Sequence, residues 1–333
     1  MSTFRPYKEA IDFDEIKRQR SSLDTWIEVN LDWIVSHPES KEESEKEIEK
    51  TKDKIPKLDV ILAKEPPPPE LPPSKPLIKV SGVLEEFETL CVKGYFTDRE
   101  YDPVAFARKE ERELYGGLLM ALSGNTSGSN SQTNVRRGDV CDFVRGKING
   151  IPFHGWLGFT SAKVDDYVEL AATEQEGHYV VYAIAHPELR VVSMTPRCNQ
   201  GIHSNAKYQI RATWYGSLLF FCIFMIGGIF GEQVREDIIG YMKCISSFWG
   251  LMAIVASPLI YFSCMRNPKP TFRLAEEIFT VLGFPNPTEI NLYQFTMKKL
   301  KEMKANYPEG KSSKESERVL PDKSCYSSYY YYY

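Results

Sequence analysis

Two uncharged stretches constrain this chain more than any other part of it. Trp214 to Gly231 carries no Asp, Glu, Lys or Arg, nor does Cys244 to Met265, and a short polar segment from Glu232 to Lys243 separates them. A bilayer core roughly 30 Å thick takes about 20 helical residues at ~1.5 Å of rise each. A helix also satisfies its own backbone inside lipid. The alternative is a helical hairpin buried in a soluble core, but such helices usually interrupt an apolar run with polar positions every few residues. The pattern therefore predicts a two-helix transmembrane hairpin over residues 206–270. Gly227 and Gly228 in the first run, which ends at Gly231, and Gly250, Ala253 and Ser257 in the second, are small enough to let the two backbones approach. Trp214 and Trp249 mark aromatic positions in the two runs. Pro258 removes one backbone donor and so predicts a kink before the run ends at Met265.

The flanking charges predict an orientation. Lys207 and Arg211 precede the first run, and Arg266, Lys269 and Arg273 follow the second; the intervening loop is acidic on balance. The excess of Lys and Arg outside the hairpin puts both termini in the cytoplasm by the positive-inside rule. Neither run contains an ionisable acid or base, which argues against a proton relay or ion path and for an anchor. Only Ser217, Ser246, Ser247, Ser257 and Ser263 offer modest wettability.

The rest of the composition narrows the function classes. The formal net charge is −4 over 333 residues, so no general basic field recruits nucleic acid. The seven cysteines are scattered without a Cys-x-x-Cys pair, which gives no zinc or redox signature. The five histidines, at 37, 154, 178, 186 and 203, lack zinc-protease spacing. No nucleophile elbow or phosphate-binding glycine loop is present. Asp165 and Asp166 read as a turn cap. No catalytic residue, metal ligand or cofactor is assigned from the sequence, although catalytic groups can assemble from distant positions.

Residues 1–76 read as a helical and charged segment. Phe13, Ile16, Leu23, Trp26, Ile27, Leu31 and Ile34 form one apolar helical face that ends at His37-Pro38. The mixed-charge run from Glu39 to Lys54 reads as a solvated helix or a disordered tether. Glu65 to Pro76 is proline-rich, hence extended and semi-rigid, and reads as a spacer before a domain boundary.

Residues 77–205 read as a small β domain. Leu77 to Leu84 alternates, and Asn149-Gly150 is a strong two-residue hairpin signal. Further short strands follow from Lys163 to Ala172, His178 to Ala185 and His186 to Met194. Asp102 to Leu122 reads as a helical insertion followed by a Gly/Ser/Asn-rich loop. Five or six short strands predict a small antiparallel barrel or curled sheet of the OB or SH3-like kind. Beyond the hairpin, residues 271–307 read as amphipathic helices. The second of these carries Lys298, Lys299, Lys301 and Lys304 on one face, suited either to anionic headgroups or to solvent. Residues 308–333, ending in a tyrosine run, read as a disordered tail. The whole is an α+β membrane protein with a cytoplasmic β domain.

The run from Val144 to Gly158, the strand pair from His178 to Met194, and Arg197 to Gly201 ahead of two membrane spans resemble a family of bacterial two-span membrane proteins known as type VI secretion system effectors. The resemblance covers roughly residues 77 to 270. Its motif positions here are Gly146, Asn149, Gly150, Phe153, Gly155, Trp156, Tyr182, Pro187, Arg190 and Gly201. It implies a multi-pass inner-membrane location and a membrane-acting effector in interbacterial competition. An immunity or adaptor protein, whose β domain binds a partner from the same locus, is the alternative. The lipid bilayer, such a protein partner and further copies of the chain are the partners this implies.

Overall fold

A computed structural model describes residues 10–38, 41–122, 138–230, 238–306, 320–321 and 330–333. The chain is a mixed α+β protein built on a seven-stranded sheet, with two long apolar helices beyond it.

Three helices lead: α1 (Phe13–Ser36), α2 (Lys41–Lys52) and α3 (Ile55–Leu62). Asp12 caps α1 by accepting from the Glu15 amide at 3.1 Å. The same carboxylate pairs with Lys93 at 2.6 Å, and Ile11 exchanges backbone hydrogen bonds with Cys91 and Lys93, so the start of α1 is tied to the sheet. The charged run is helical over α2, where a disordered tether was the other expectation; Ile48 and Thr51 give it a buried edge.

The sheet comprises β1 (Ile78–Gly94), β2 (Asp139–Ile148), β3 (Ile151–Leu157), β4 (Tyr167–Gln175), β5 (His178–His186), β6 (Val191–Met194) and β7 (Tyr330–Tyr332). Their order is β3-β2-β1-β4-β5-β6-β7, antiparallel at each step. In addition β3 and β5 pair in parallel, Phe153 opposite Tyr179 and Gly155 opposite Val181. β1 is far longer than the alternation of Leu77 to Leu84 predicts. A register shift between Leu84 and Glu86 bends it, so its first half pairs with β4 and its second with β2. The acidic residues around Glu85 to Glu88 hide that second half from a hydrophobic reading. Asn149 and Gly150, both at positive φ, make the β2–β3 turn as predicted.

Two large apolar clusters result, with a smaller one around Val191, Tyr330 and Tyr332. One gathers Leu84, Val144, Ile148, Phe153, Leu157, Val168, Leu170 and Val181 between the bent strands. The other lies on the opposite side, where Phe279, Ile278, Ala275 and Leu274 of α8 (Pro270–Val281) cover Val92, Phe96, Tyr182 and Met194. α4 (Asp98–Tyr101) and α5 (Pro103–Leu122) form the insertion after β1, and Tyr101 is buried against Cys198.

The tyrosine run departs from the disordered-tail expectation. Tyr330–Tyr332 pair with β6 through Val191 to Ser193, and all three side chains are buried. Thr296 of α9 (Leu292–Asn306) accepts from the Tyr332 amide at 3.0 Å. An edge strand with unpaired backbone groups is satisfied by any extended segment, and aromatic residues suit a half-buried pleat. Residues 308–319 and 322–329 lie outside those described.

α6 (Ile202–Phe230) and α7 (Ile238–Arg266) pack as an antiparallel pair. α6 starts before the charge-free run because its first turn belongs to the β domain. The Ile202 amide donates to Glu276 of α8 at 2.7 Å, Gly201 to Ile290 at 2.9 Å and Leu292 to Asn199 at 3.0 Å.

Candidate functional site

Four of the ten motif residues, Phe153, Gly155, Trp156 and Tyr182, lie on β3 and β5, and the others are spread over turns, β2 and the hairpin base. Gly146 and Gly155 are required by close approach. A Cβ at Gly146 would meet the Glu86 carbonyl at 2.3 Å, and one at Gly155 would meet the Val181 carbonyl at 2.2 Å. Phe153 is buried between them. Gly201 has the same role at the hairpin base, where a Cβ would fall 2.4 Å from the Thr288 carbonyl. Pro187 and Arg190, the latter at a φ of 53°, shape the β5–β6 turn; the Arg190 guanidinium lies 5.1 Å over the Tyr333 ring.

Trp156 and Tyr182 do something else. They hold the proline-rich segment onto the seam where β3 meets β5. The Trp156 indole donates to the Pro67 carbonyl at 2.9 Å, and the Tyr182 hydroxyl donates to the Glu70 carbonyl at 2.9 Å. Gln175 donates to the Glu70 carboxylate, and Lys75 to the Glu174 carbonyl at 3.0 Å. The segment from Pro66 to Pro73 is therefore a strap across the β domain rather than a spacer. An extended proline segment has all its carbonyls free to accept, and those carbonyls are what the seam reads. Burial pushes the Tyr182 hydroxyl up to about 12, beyond the help it receives from Thr173, so it stays a donor.

Beside these lie two histidines to which the sequence assigns no ligand role. His154 on β3 and His178 on β5 stack at 5.2 Å, and Glu70 of the strap is 3.6 Å from His154 Nε2. Period-2 alternation explains the meeting: His154 lies opposite Val180, two residues from His178, so both imidazoles face the strap. Burial holds the His154 imidazole below its usual range, as does His178, while Glu70 pulls the other way. The cluster joins residues 84 and 24 positions apart, so no sequence spacing could reveal it. His186 and Asp166 are buried 3.4 Å apart, and Asp166 also accepts from the Lys163 amide at 2.8 Å, which agrees with a capping role.

The hairpin residues sort differently. The Trp214 indole donates to Ser257 at 2.9 Å, and the Trp249 indole to Ser217 at 3.3 Å, with the two indoles perpendicular at 5.2 Å. Gly250 faces open space, so it is not a site of close helix approach. α7 runs through Pro258 without interruption and contains Met265. Gly227 and Gly228 lie in α6, but their surroundings, and Gly231 itself, fall outside the described residues. Leu219, Phe220, Phe224, Phe248, Ile254 and Phe262 all project outward, and nothing among the described residues covers them. Both helices are long and apolar enough to cross a membrane. At the base of the pair, Asn205, Gln209 and Thr213 of α6 face Ser263 of α7 across a cavity of about 440 Å³.

Comparison with protein-family models, with curated proteins and with solved structures found no match.

Proposed function

We propose that this is a membrane-anchored binding protein, its β domain held at the cytoplasmic face of a bacterial inner membrane by the α6–α7 hairpin. One observation carries the reading: helices apolar on their outward faces emerge from a base that is hydrogen-bonded into the β domain. Outward apolar faces suit lipid. The keyed base, through Glu276, Ile290 and Asn199, suits presentation of the domain in a fixed pose. The flanking Lys and Arg residues support cytoplasmic termini. The pairings β1-β2-β3-β5-β4 and back to β1 support reading strands β1 to β5 as a closed barrel of OB kind.

The resemblance to type VI secretion proteins implies an effector first and an immunity or adaptor protein second, and the keyed hairpin base favours the second, with a partner from such a locus. The effector reading draws on the polar stripe from Asn205 to Thr213. That stripe ends at the Trp214–Ser257 hydrogen bond, and Ser217 and Ser257 spend their hydroxyls on indoles inside the hairpin rather than on a water path. Membrane potential distinguishes the two. Expression in a susceptible bacterium, with and without residues 214–265, should leave growth and potential unchanged while the full chain fractionates with the membrane. Depolarisation that requires the hairpin overturns the binding-protein reading in favour of the effector.

A further inference from the structure

The seam beneath the strap has the donor set of a transition-metal site. Glu70, His154 and His178 each present one ligand atom, and the three atoms lie within 4.8 Å of one another. Two imidazoles and one carboxylate, with a fourth position left to water, form a familiar tetrahedral zinc ligand set. The His154 Nε2 to Glu70 Oε1 distance of 3.6 Å is already near the edge of such a tetrahedron.

The surrounding groups orient the donors as an outer shell would. Gln175 donates to Oε2 of Glu70, which turns Oε1 toward His154. His178 Nδ1 lies 3.4 Å from the Glu176 carbonyl. A carbonyl only accepts, so this contact is a hydrogen bond in the tautomer with the proton on Nδ1, which leaves the other ring nitrogen its lone pair. The two histidines sit on rigid paired strands, whereas Glu70 belongs to the strap. A bound ion would therefore join parts of the chain that are otherwise held together by a few hydrogen bonds.

We propose that Glu70, His154 and His178 bind one divalent transition-metal ion of the Zn²⁺ class, which clasps the proline-rich strap to the β3–β5 seam. The ligands come from two strands and the strap, so binding stabilises the strapped form over any in which the strap has lifted.

The test uses the full chain in detergent micelles, free of any affinity tag, with Zn²⁺ and Co²⁺ alone as probes. Titration calorimetry should give one Zn²⁺ per chain, and Co²⁺ should give the intense visible absorption of a four-coordinate site that Zn²⁺ then bleaches. Losing a side chain that hydrogen-bonds a metal ligand costs about 10–100-fold in affinity, so Gln175→Met should fall in that range and Glu70→Gln or His178→Asn at least about 100-fold. Zinc should raise the melting temperature of the parent chain but not that of Glu70→Gln. Because His178 lies on the exposed side of the seam, His178→Asn reports on the site even where Glu70→Gln weakens the strap by itself. Absence of stoichiometric binding overturns the proposal. So does Zn²⁺ uptake that is unchanged in both Glu70→Gln and His178→Asn, which would place the ion elsewhere, for instance on thiols.

Discussion

At the residue scale, the glycines separate constraint from accident. Gly155 sits where β3 passes the Val181 carbonyl, and a methyl group there must push two paired strands apart. Gly155→Ala should cost about 1–3 kcal/mol, as overpacking generally does, read as a lowered denaturation midpoint in detergent. Gly250→Ala, with open space around it, should stay within about 0.5 kcal/mol of the parent. From sequence the two glycines look alike, since each lies in an apolar neighbourhood. Only the path of a carbonyl 26 residues further along distinguishes them. The same limit applies to Glu70, His154 and His178. Each was visible as a residue type, but their meeting depends on strand register, which no local pattern reveals.

At the element scale, the strap and the N-terminal helix are secured by a few polar contacts that mutation can address. Tyr182→Phe removes the bond to the Glu70 carbonyl and should cost about 1 kcal/mol, while faster proteolysis within residues 64–75 would report strap release. Asp12 ties α1 to β1. Burial raises its carboxyl most, but the Lys93 hydrogen bond, the Glu15 amide and the Lys93 and Arg18 charges together outweigh it, and the pKa lies below its usual value. The sign follows: the unfolded state binds the proton more readily, so this contribution is complete above pH ~4 and fades as pH falls through the depressed folded value. Asp12→Asn should flatten that part of the acid unfolding curve. Legibility varied by element for physical reasons. The β2–β3 turn was readable because Asn-Gly has a conformational preference of its own. The second half of β1 was not, because its charged residues face solvent and mask the alternation. The strap was readable as extended chain, yet its docking depends on Trp156 and Tyr182 supplied from far along the sequence.

At the scale of the whole molecule, hairpin register sets the place of the bilayer. The contacts of Trp214 with Ser257, Trp249 with Ser217 and Tyr241 with Phe224 fix the antiparallel alignment. Arg211 then lies near the level of Val255, about 12 residues or ~18 Å along α7 from Lys243. The two charge-free runs are thus staggered, a fact hidden when each is read alone. On the membrane reading, a slab of roughly 30 Å fits when Arg211 reaches toward the base and Lys243 toward the tip, each by about 6 Å of snorkelling stem. Lys243→Asp, too short to reach, should lower the inserted fraction in a glycosylation-mapping assay, and Lys243→Arg should leave it unchanged.

The edge of β6 is filled by Tyr330 to Tyr332, which leave the ribosome after both long helices. On the membrane reading, the hairpin therefore meets the insertion machinery during synthesis while the sheet beside it still shows an open edge. The outer edge of Val191 to Ser193, the side away from β5, must wait for well over a hundred further residues. In that interval a helper protein or a neighbouring nascent chain could occupy the edge, so assembly of this protein has a vulnerable period whose length is set by translation and not by folding.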